Sequence, residues 1–431
     1  MVAIIFIEKL TVEVDIINRK KVLVIGAGPA GMMAAGVCAQ NGANVTLIEK
    51  NELVGRKLRI TGKGRCNITN ACDESSFISN VTSNGKFLYS AINNFNSYDT
   101  IDFFKEHGME VKIERGNRVF PQSDKAIDVV NVLKSFVKDS GCKILNKRAK
   151  ELLTCDGICK GIITDRKEKI FSDAVIIATG GKSYPRTGST GDGYKMAKAV
   201  GHSIESLQPS LVPLECKNNW CSELQGLSLR NVQIELVDND LNKVIYKDFG
   251  EMIFTHFGVS GPIILSASTH IKNINSKNYS IKIDLKPALT QEQLDKRLMK
   301  DFSKYINRDF GNSLGDLLPR KLIPIIVKLS GVPETLKCNQ ITKDMRRNLI
   351  DILKGLIIDI KDFRPIEEAI VTSGGIKTSE INPKTMESKI VKELYFAGEV
   401  MDVDAYTGGF NLQIAFSTGY LAGIFASKGD N

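Results

Sequence analysis

The sequence predicts an α/β fold in which the two ends of the chain form one domain and the middle forms a second. Near the N-terminus, an apolar stretch at Lys21–Ile25 is followed by a glycine turn, a helical stretch of small residues and a second apolar stretch. After Glu367 the chain returns to glycine-rich α/β character. We therefore expect residues 1–206 and 367–431 to form a Rossmann-type domain, and residues 207–366 to form an insert.

Length and composition indicate a folded globular protein. The chain has 431 residues, 42% of them hydrophobic and 25% charged, which is ordinary for a chain of two domains. Its cysteines form no CxxC pair and no secretion signal precedes them, so we expect a reducing, cytoplasmic setting. The apolar opening at residues 2–7 is too short to cross a bilayer, so no membrane association is expected. No metal-ligand pattern is present.

The net charge of +9 is compatible with nucleic acid, a membrane surface or an anionic small molecule. The lysines are spread along the chain without a dense basic block interleaved with aromatic residues, so nucleic acid is the less favoured partner. An anionic cofactor or substrate is the simpler explanation. The sequence does not indicate an oligomeric state.

Local patterns predict the order of elements. Strands are expected at 21–25, 44–49, 110–114, 161–164, 174–178 and 393–397, and helices at 29–40, 85–95, 100–107, 124–139 (capped by Ser123) and 412–426. Residues 55–70 (GRKLRITGKGRCNITN) read as a long cationic loop, and 372–376 (TSGGI) as a turn. Residues 207–287 are expected to be β-rich and 288–366 mainly helical, while residues 1–20 form an extension.

A dinucleotide-binding motif follows the first strand. It comprises Gly26, Ala27, Gly28, Pro29, Ala30 and Gly31, and it opens the first helix. Its glycines allow a tight turn, backbone approach to a diphosphate and close helix–strand packing, and the helix N-terminus favours the anion. Glu49 ends the next strand, where an acidic side chain accepts ribose hydroxyls. Because Glu49 disfavours a 2′-phosphate, the motif leaves FAD or NAD.

Longer segments resemble a known family. These are AGEVMDVDAYTGGFNLQIAFSTGYLAG (397–423), VTSGGIKTSEINPKTMESKIVKELYFAGE (371–399), ATGGKSYPRTGSTGDGY (178–194), FTHFGVSGPIILS (254–266) and the cationic loop. They resemble a bacterial flavoprotein family that includes aminoacetone oxidase and the BaiN-type bile-acid enone reductase. The resemblance implies a discontinuous FAD domain, similar to the wider glutathione-reductase and fumarate-reductase group, interrupted by a β-barrel plus helical insert.

The resemblance implies further FAD-binding residues. They are Lys50, Arg56, Lys57, Thr61, Gly62, Lys63, Gly64, Arg65, Cys66, Asn67, Ala178, Thr179, Gly180, Gly398, Glu399, Gly408, Gly409, Asn411 and Leu412. Glu399 stands where the family places a ribitol-binding acid, and the helix after Asn411 would stabilise negative charge on a reduced flavin. The alternative for the cationic loop is a solvated surface. Cys66 is either a packed thiol beside the flavin or half of a redox disulfide, although Cys72 lies one residue beyond the CxxxxC spacing of dithiol reductases.

His256, Tyr184 and Arg65 are the candidate catalytic residues, and a histidine satisfied inside the insert is the alternative for His256. The leading hypothesis is hydride transfer between NAD(P)H, flavin and a small organic substrate, possibly by reduction of a conjugated, bile-acid-type enone. No second GxGxxG follows a strand, so NAD(P)H would dock transiently. The alternatives are an oxygen-dependent amine or aminoacetone oxidase, an RNA-binding or RNA-modifying flavoprotein, and a protein that binds FAD structurally.

Overall fold

The computed structural model describes residues 19–428, so most of the expected extension at 1–20 lies outside the described residues. The described chain divides into two compact units. Unit 1 contains the residues up to Ser210 together with those from Ile366 onward, and unit 2 contains Leu211–Pro365.

The strands, in chain order, are β1 Lys21–Ile25, β2 Asn44–Glu49, β3 Thr69–Asn70, β4 Val81–Ser83, β5 Val111–Glu114, β6 Arg118–Pro121, β7 Lys143–Asn146, β8 Ala149–Cys155, β9 Ile158–Thr164, β10 Lys169–Phe171, β11 Ala174–Ile177, β12 Ile204–Ser210, β13 Leu214–Cys216, β14 Ser228–Asp238, β15 Lys243–Phe254, β16 Gly258–Ser260, β17 Tyr279–Asp284, β18 Leu356–Phe363, β19 Val371–Ile376, β20 Leu394–Phe396 and β21 Asp404–Ala405.

The α-helices are α1 Pro29–Gln40, α2 Glu74–Ser79, α3 Tyr89–Asn94, α4 Ser97–Glu106, α5 Ala126–Asp139, α6 Asp192–Ala199, α7 Trp220–Glu223, α8 Pro262–Ser268, α9 Gln291–Lys304, α10 Ile323–Ser330, α11 Lys343–Lys354 and α12 Phe410–Ser427. Short 3-10 helices lie at Leu58–Gly64, Gly85–Leu88, Pro185–Thr187, Phe310–Asn312, Leu314–Asp316, Arg320–Leu322, Cys338–Gln340, Ile366–Glu368, Thr378–Glu380 and Gly398–Val400.

Unit 1 is built on a parallel sheet of five strands in the order β20–β11–β1–β2–β7. In its centre, Val24 lies opposite Leu47 on one side and Ile176 on the other. These three side chains are buried, as expected where helices cover both faces of a parallel sheet. The order brings β20, from the end of the chain, beside strands from its beginning. The expected α/β Rossmann-type fold is confirmed.

Helices α1 and α12 pack closely through glycines on α12. A Cβ atom at Gly419 would lie 2.4 Å from the carbonyl oxygen of Ala30, and one at Gly423 would lie 2.8 Å from that of Ala34. Because Ala30 pairs with Gly419 and Ala34 with Gly423, the two helices run in the same direction. At a rise of about 1.5 Å per residue, the N-terminus of α12 therefore lies about 12 Å beyond that of α1.

Unit 2 contains a closed barrel of six antiparallel strands in the order β13–β16–β15–β14–β17–β18. Ile234, Ile281 and Ile358 are fully buried on β14, β17 and β18. Helices α9, α10 and α11 lie in sequence between the last two barrel strands. The barrel and helices that the resemblance implies are thus present. Residues 207–210, expected in the insert, end strand β12 of unit 1, and β18 lies within the stretch expected to be mainly helical.

Three local expectations are wrong. Ser123 does not cap a helix: α5 begins at Ala126 with Lys125 at its N-cap, and the Ser123 hydroxyl donates to Asp128. The TSGGI segment, expected to be a turn, belongs to strand β19, because it pairs with the antiparallel strand β12. Residues 85–95 divide into a 3-10 helix and α3. The bounds expected for β1, α1 and β2 are confirmed.

The buried His202 binds the segment before β20 and so connects that segment to the rest of unit 1. His202 Nδ1 lies 3.2 Å from Glu380 Oε2, and its Nε2 lies 2.8 Å from the Ser388 hydroxyl. Burial lowers the pKa of His202, and the nearby Glu380 carboxylate opposes that shift. Phe396 meets the ring edge-on at 4.9 Å. The histidine is therefore held neutral within a polar network that crosses long sequence distances.

Substitution of Gly419 by Ala should destabilise unit 1. The added methyl would overlap the Ala30 carbonyl, and overpacking of this kind costs about 1–3 kcal/mol. Chemical denaturation monitored by circular dichroism measures the loss. Gly315→Ala is the control, since no atom lies within 4 Å of a Cβ there. Equal effects of the two substitutions would show that the close packing of α1 and α12 does not matter.

The free energy of unfolding should fall as the solution is acidified. With a folded-state pKa below the ordinary 6.5 of histidine, neutral His202 adds stability that is complete above pH 6.5 and is lost as pH falls through the folded-state value. The free energy of unfolding, obtained from denaturation curves at pH values from about 7 to about 5, should therefore fall more steeply with pH for the native chain than for His202→Gln. Identical slopes would contradict the assignment.

Candidate functional site

The glycine motif forms a turn between β1 and α1. Gly26 has φ +101°, and a Cβ there would lie 2.6 Å from the Ala178 carbonyl oxygen. A Cβ at Gly31 would lie 1.8 Å from the Gly26 carbonyl oxygen. At Gly28, in contrast, no atom lies within 4 Å of a Cβ position. Two of the glycines are thus required by the packing, and the third faces open space, as diphosphate approach requires.

Helix α1 presents an uncapped N-terminus to that space. It begins at Pro29 without a side-chain cap and without an acidic residue in its first turn. Met32 N is bonded to the Gly28 carbonyl oxygen, so the N–H groups of Ala30 and Gly31 precede the first intrahelical bond. These groups and the helix dipole favour a bound anion.

Glu49 stands beside the motif at the end of β2. One carboxylate oxygen accepts the Ala27 N–H at 2.8 Å and the other accepts the Asn51 N–H at 2.8 Å. The residue is only 9% exposed. The Asn51 side-chain amide also donates to Glu49, at 2.7 Å. An ionised carboxylate has about four lone-pair sites, so acceptor capacity remains for one ribose hydroxyl. The next residue, Lys50, forms an ion pair with Asp192 at 2.9 Å.

The cationic loop has an irregular backbone. Its 3-10 segment contains non-helical residues from Thr61 to Lys63, and φ is positive at Lys63 and Cys66. The Thr61 hydroxyl donates to the Leu58 carbonyl oxygen. Positive φ at Gly62 and Gly64 is unstrained, whereas at Lys63 and Cys66 it is costly and requires support from the surrounding structure.

Cys66 is a packed thiol. Its side chain is fully buried, and burial raises its pKa to about 12, so the thiol is protonated at neutral pH. All nine cysteines of the chain, including Cys72, are unpaired in the structure. These observations favour the packed-thiol alternative over a redox disulfide.

Arg65 is held by two carboxylates of unit 1. Its guanidinium forms ion pairs with Glu114 and Asp124, and it stacks 4.1 Å above the ring of Phe120. The hydrogen bond with Glu114 is the main cause of the raised pKa of Arg65. Arg65 thereby ties the cationic loop to strands β5 and β6, and its catalytic role stays a prediction. Arg56 donates to Asn51 at the surface.

Lys57 and Glu399 form an ion pair of 2.8 Å that joins the cationic loop to the segment after β20. Glu399 also accepts the Thr372 N–H at 2.9 Å, and Lys57 donates to the Ser183 hydroxyl at 2.7 Å. The carboxylate expected at the ribitol is therefore already engaged with the protein. Ser183 and Thr372 were not among the expected site residues, because contacts across such sequence distances leave no local signal.

A second uncapped helix N-terminus lies at α12. Its N-cap is Gly409, and a Cβ there would lie 2.4 Å from the carbonyl of Thr69, while neighbouring Gly408 has φ +127°. The Asn411 side chain bonds both backbone groups of Ala405, which fixes the preceding turn. Gln413 N is bonded to Gly409 O, so the N–H groups of Phe410, Asn411 and Leu412 precede the first intrahelical bond.

Unpartnered polar atoms also lie in these segments. Among the described residues, the buried side-chain atoms without a hydrogen-bond partner include Arg59 Nε, Asn67 Oδ1 and Thr179 Oγ1. Buried polar atoms are normally satisfied, so these three are candidate ligand contacts. Asn67 and Thr179 were expected at the site, whereas Arg59 was not. Arg59 is recognised as a candidate by its buried, unpartnered Nε atom, which only the structure reveals. Together with the open space at Gly28, these atoms fit a long dinucleotide.

The remaining candidates belong to both units. Ala178 N bonds the Ile25 carbonyl oxygen, which places Ala178, Thr179 and Gly180 beside the glycine turn. Gly398 N bonds the Thr418 hydroxyl on α12. Tyr184 belongs to unit 1 and has φ +50°, and burial raises its pKa. His256 is exposed between β15 and β16 of unit 2, so it is not buried inside that unit.

Between residues 19 and 428 there is no group of three or more His, Cys, Asp or Glu side chains arranged to hold a metal ion. Over the same residues, no helix is long and apolar enough to cross a membrane.

The model of the family described as "HI0933-like protein Rossmann domain" matches residues 20–425. The chain belongs to this family. It is 31% identical over 410 residues to the 3-dehydro-bile acid delta(4,6)-reductase of Clostridium scindens, covering 94% of this chain and 98% of the relative. It is 29% identical over 406 residues to the ribosomal RNA dihydrouridine synthase of Escherichia coli, covering 94% and 97%.

A solved structure has a similar fold. The 3-ketosteroid-delta4-(5alpha)-dehydrogenase of Rhodococcus jostii aligns with a TM-score of 0.53 at 14% identity, covering 95% of this chain and 97% of that one. Such identity supports the fold alone. With the family match, the chain has a Rossmann-type FAD-binding domain and is an FAD-dependent oxidoreductase.

Substitution of Gly28 by Val should abolish FAD binding while the protein still folds. The backbone at Gly28 (φ −84°, ψ −175°) suits a β-branched residue, and the side chain would fill the open space at the α1 N-terminus. Absorbance of the purified variant measures the flavin, and circular dichroism checks the fold. Stoichiometric flavin in a folded variant would refute the placement of the diphosphate.

Proposed function

We propose that this protein reduces a carbon–carbon double bond conjugated to a carbonyl group, with NADH or NADPH as the electron donor. The supporting observation is that two relatives matching over nearly their whole lengths carry names that share this chemistry. A Δ4 double bond in a 3-dehydro steroid is conjugated to the C3 carbonyl. Dihydrouridine differs from uridine by saturation of the C5–C6 bond, which is conjugated to the C4 carbonyl.

We propose that unit 1 is the FAD domain. The N–H groups of Ala30 and Gly31 would hold the diphosphate, and Glu49 would accept a ribose hydroxyl. The N–H groups of Phe410 to Leu412 would stabilise negative charge at the pyrimidine end of the flavin. Bound FAD supplies hydride transfer, and the protein supplies orientation and electrostatics. Lys57 and Glu399 position the cationic loop against the segment after β20.

Tyr184 is the proposed proton donor. Saturation of a conjugated double bond requires a proton as well as a hydride, and a donor must remain protonated at neutral pH. A tyrosine phenol carries its proton at neutral pH, and burial, with Glu368 adding to the shift, raises the pKa of Tyr184 further. Its strained backbone, with φ +50°, is of the kind that clusters at functional sites.

A uridine base in ribosomal RNA is the second candidate substrate. The favouring observations are the net charge of +9 and the identity of 29% to the dihydrouridine synthase, which is close to the 31% found for the bile-acid reductase. Both substrates require the same chemistry, and they differ in how the protein would recognise them. Binding of RNA should weaken steeply as salt is raised, whereas binding of a neutral enone should not.

Anaerobic stopped-flow absorbance tests the donor and the reaction class. NADH or NADPH should bleach the oxidised flavin, and an acceptor should then restore the colour. The acceptors to compare are a 3-oxo-Δ4 steroid and a ribosomal RNA transcript, the latter analysed for dihydrouridine by mass spectrometry. Bleaching by aminoacetone but not by either nicotinamide, with peroxide formed in air, would establish the oxidase alternative and overturn the proposal.

Tyr184→Phe should separate the two half-reactions. Reduction of the flavin by nicotinamide should be unchanged, whereas reduction of the acceptor should slow by about 10²- to 10⁴-fold, the usual contribution of a positioned acid. Tyr89→Phe, at an exposed tyrosine of α3, is the matched control. A Tyr184→Phe variant with normal acceptor reduction would remove Tyr184 from the mechanism and leave the reaction class intact.

A further inference from the structure

Two cysteines of unit 2, Cys216 and Cys221, are separated by four residues in the segment CKNNWC. This is the CxxxxC spacing of dithiol reductases, which Cys66 and Cys72 miss by one residue. Cys216 ends strand β13, and Cys221 belongs to helix α7. The residues proposed to bind FAD all belong to unit 1, so these two thiols are not part of that site.

The fold of unit 2 brings the two sulfur atoms together. Cys216 Sγ lies against strand β16, where a Cβ atom at Gly258 would be only 2.7 Å from it. Helix α7, which carries Cys221, packs against the same strand, and both thiols adjoin the apolar core of unit 2. The two thiols are within hydrogen-bond distance of each other. A disulfide requires cysteine side chains that point toward each other, and thiols in hydrogen-bond contact meet this requirement.

Hydrogen bonds to strand β18 hold the chain between the two cysteines in place. The Lys217 N–H donates to the Asp359 carbonyl oxygen at 2.8 Å, and the Asn218 side chain accepts the Asp359 N–H at 2.7 Å. The Cys221 N–H then closes a turn on the Asn218 carbonyl oxygen at 3.1 Å. Because the fold already holds the two sulfur atoms at close range, a bond between them costs little further chain entropy.

The two thiols differ in their exposure to solvent. Cys216 is partly exposed, whereas Cys221 is only 1% exposed. A dissolved oxidant therefore reaches Cys216 first, and Cys221 is placed to complete the reaction. The hydrogen bond with Cys221, followed by burial, raises the pKa of Cys216. The Cys216 thiolate is therefore scarce at neutral pH, so its oxidation is expected to take minutes to hours.

We propose that Cys216 and Cys221 form a reversible disulfide when the protein meets an aliphatic disulfide such as oxidised glutathione. In the first step, the Cys216 sulfur loses its proton and attacks one sulfur of the oxidant, whose S–S bond breaks and releases one thiol. In the second step, Cys221 loses its proton and attacks the Cys216 sulfur, which releases the second thiol. The two cysteines lose two electrons and two protons, and the oxidant gains both.

The disulfide would link helix α7 covalently to strand β13. This modification does not depend on the proposed reductase activity, because neither thiol takes part in hydride transfer. Trp220, the only tryptophan of the chain, precedes Cys221 and reports on the link. Its fluorescence should fall on oxidation, because a disulfide quenches a neighbouring indole.

Incubation of the full, flavin-loaded chain with excess oxidised glutathione tests this inference. Free thiols are then blocked with iodoacetamide, and trypsin cleaves after Lys217, between the two cysteines. In most molecules, mass spectrometry should show the peptide that ends at Lys217 joined to the peptide of residues 218–230, and dithiothreitol should separate the two. The exposed Cys155 should carry glutathione instead, which shows that the oxidant is active.

Two single variants test the order of the steps. Cys221→Ser should stop the reaction after its first step, so that Cys216 carries one glutathione and no link forms. Cys155→Ser is the matched control and should leave the link intact. Circular dichroism checks the fold of each variant, and the native chain alone already decides whether the link forms.

Two results overturn the proposal. One is a native chain that carries glutathione on Cys155 but has no link between Cys216 and Cys221. The other is a folded Cys221→Ser variant in which Cys216 stays a free thiol while Cys155 is modified, since the oxidant then does not reach Cys216.

Discussion

Close packing of α1 against α12 is the contact on which the functional site depends. It is possible because Gly419 and Gly423 let the backbone of the last helix approach that of the first. The contact joins segments from opposite ends of the chain, and it aligns the helices in one direction with their N-termini staggered by about 12 Å. Two uncapped, partially positive helix ends on one unit can thus serve two separated electron-rich groups of one elongated cofactor.

The cationic loop shows how the structure changes the meaning of a sequence pattern. Five cationic residues in a glycine-rich stretch are expected to contact an external anion, such as a phosphate or RNA. In the folded chain, Arg65 is paired with Glu114 and Asp124, and Lys57 is paired with Glu399. Much of the loop's charge is thus used within unit 1 to hold the loop in place, and Arg59 keeps a buried donor atom without a partner.

Local features and the joining of the two chain ends were predictable, whereas individual long-range contacts were not. The β1–α1–β2 unit follows from periodicity and glycine placement, and its bounds match the structure. The TSGGI segment reads as a turn because glycines dominate it, yet pairing with β12 makes it a strand. Ser123 looks like a cap, but positive φ at Asp124 moves the helix start to Ala126. Likewise, the glycine motif marks the proposed diphosphate end of the site, while Ser183 and Thr372 join the proposed site only through contacts with residues remote in sequence.

A crystal structure of the FAD-loaded protein tests the central claim most directly. The account predicts the diphosphate within hydrogen-bond distance of the Ala30 and Gly31 N–H groups, and the pyrimidine edge of the flavin at the N–H groups of Phe410 to Leu412. A flavin bound elsewhere, or contacting the N-terminus of α1 but not that of α12, would contradict the account.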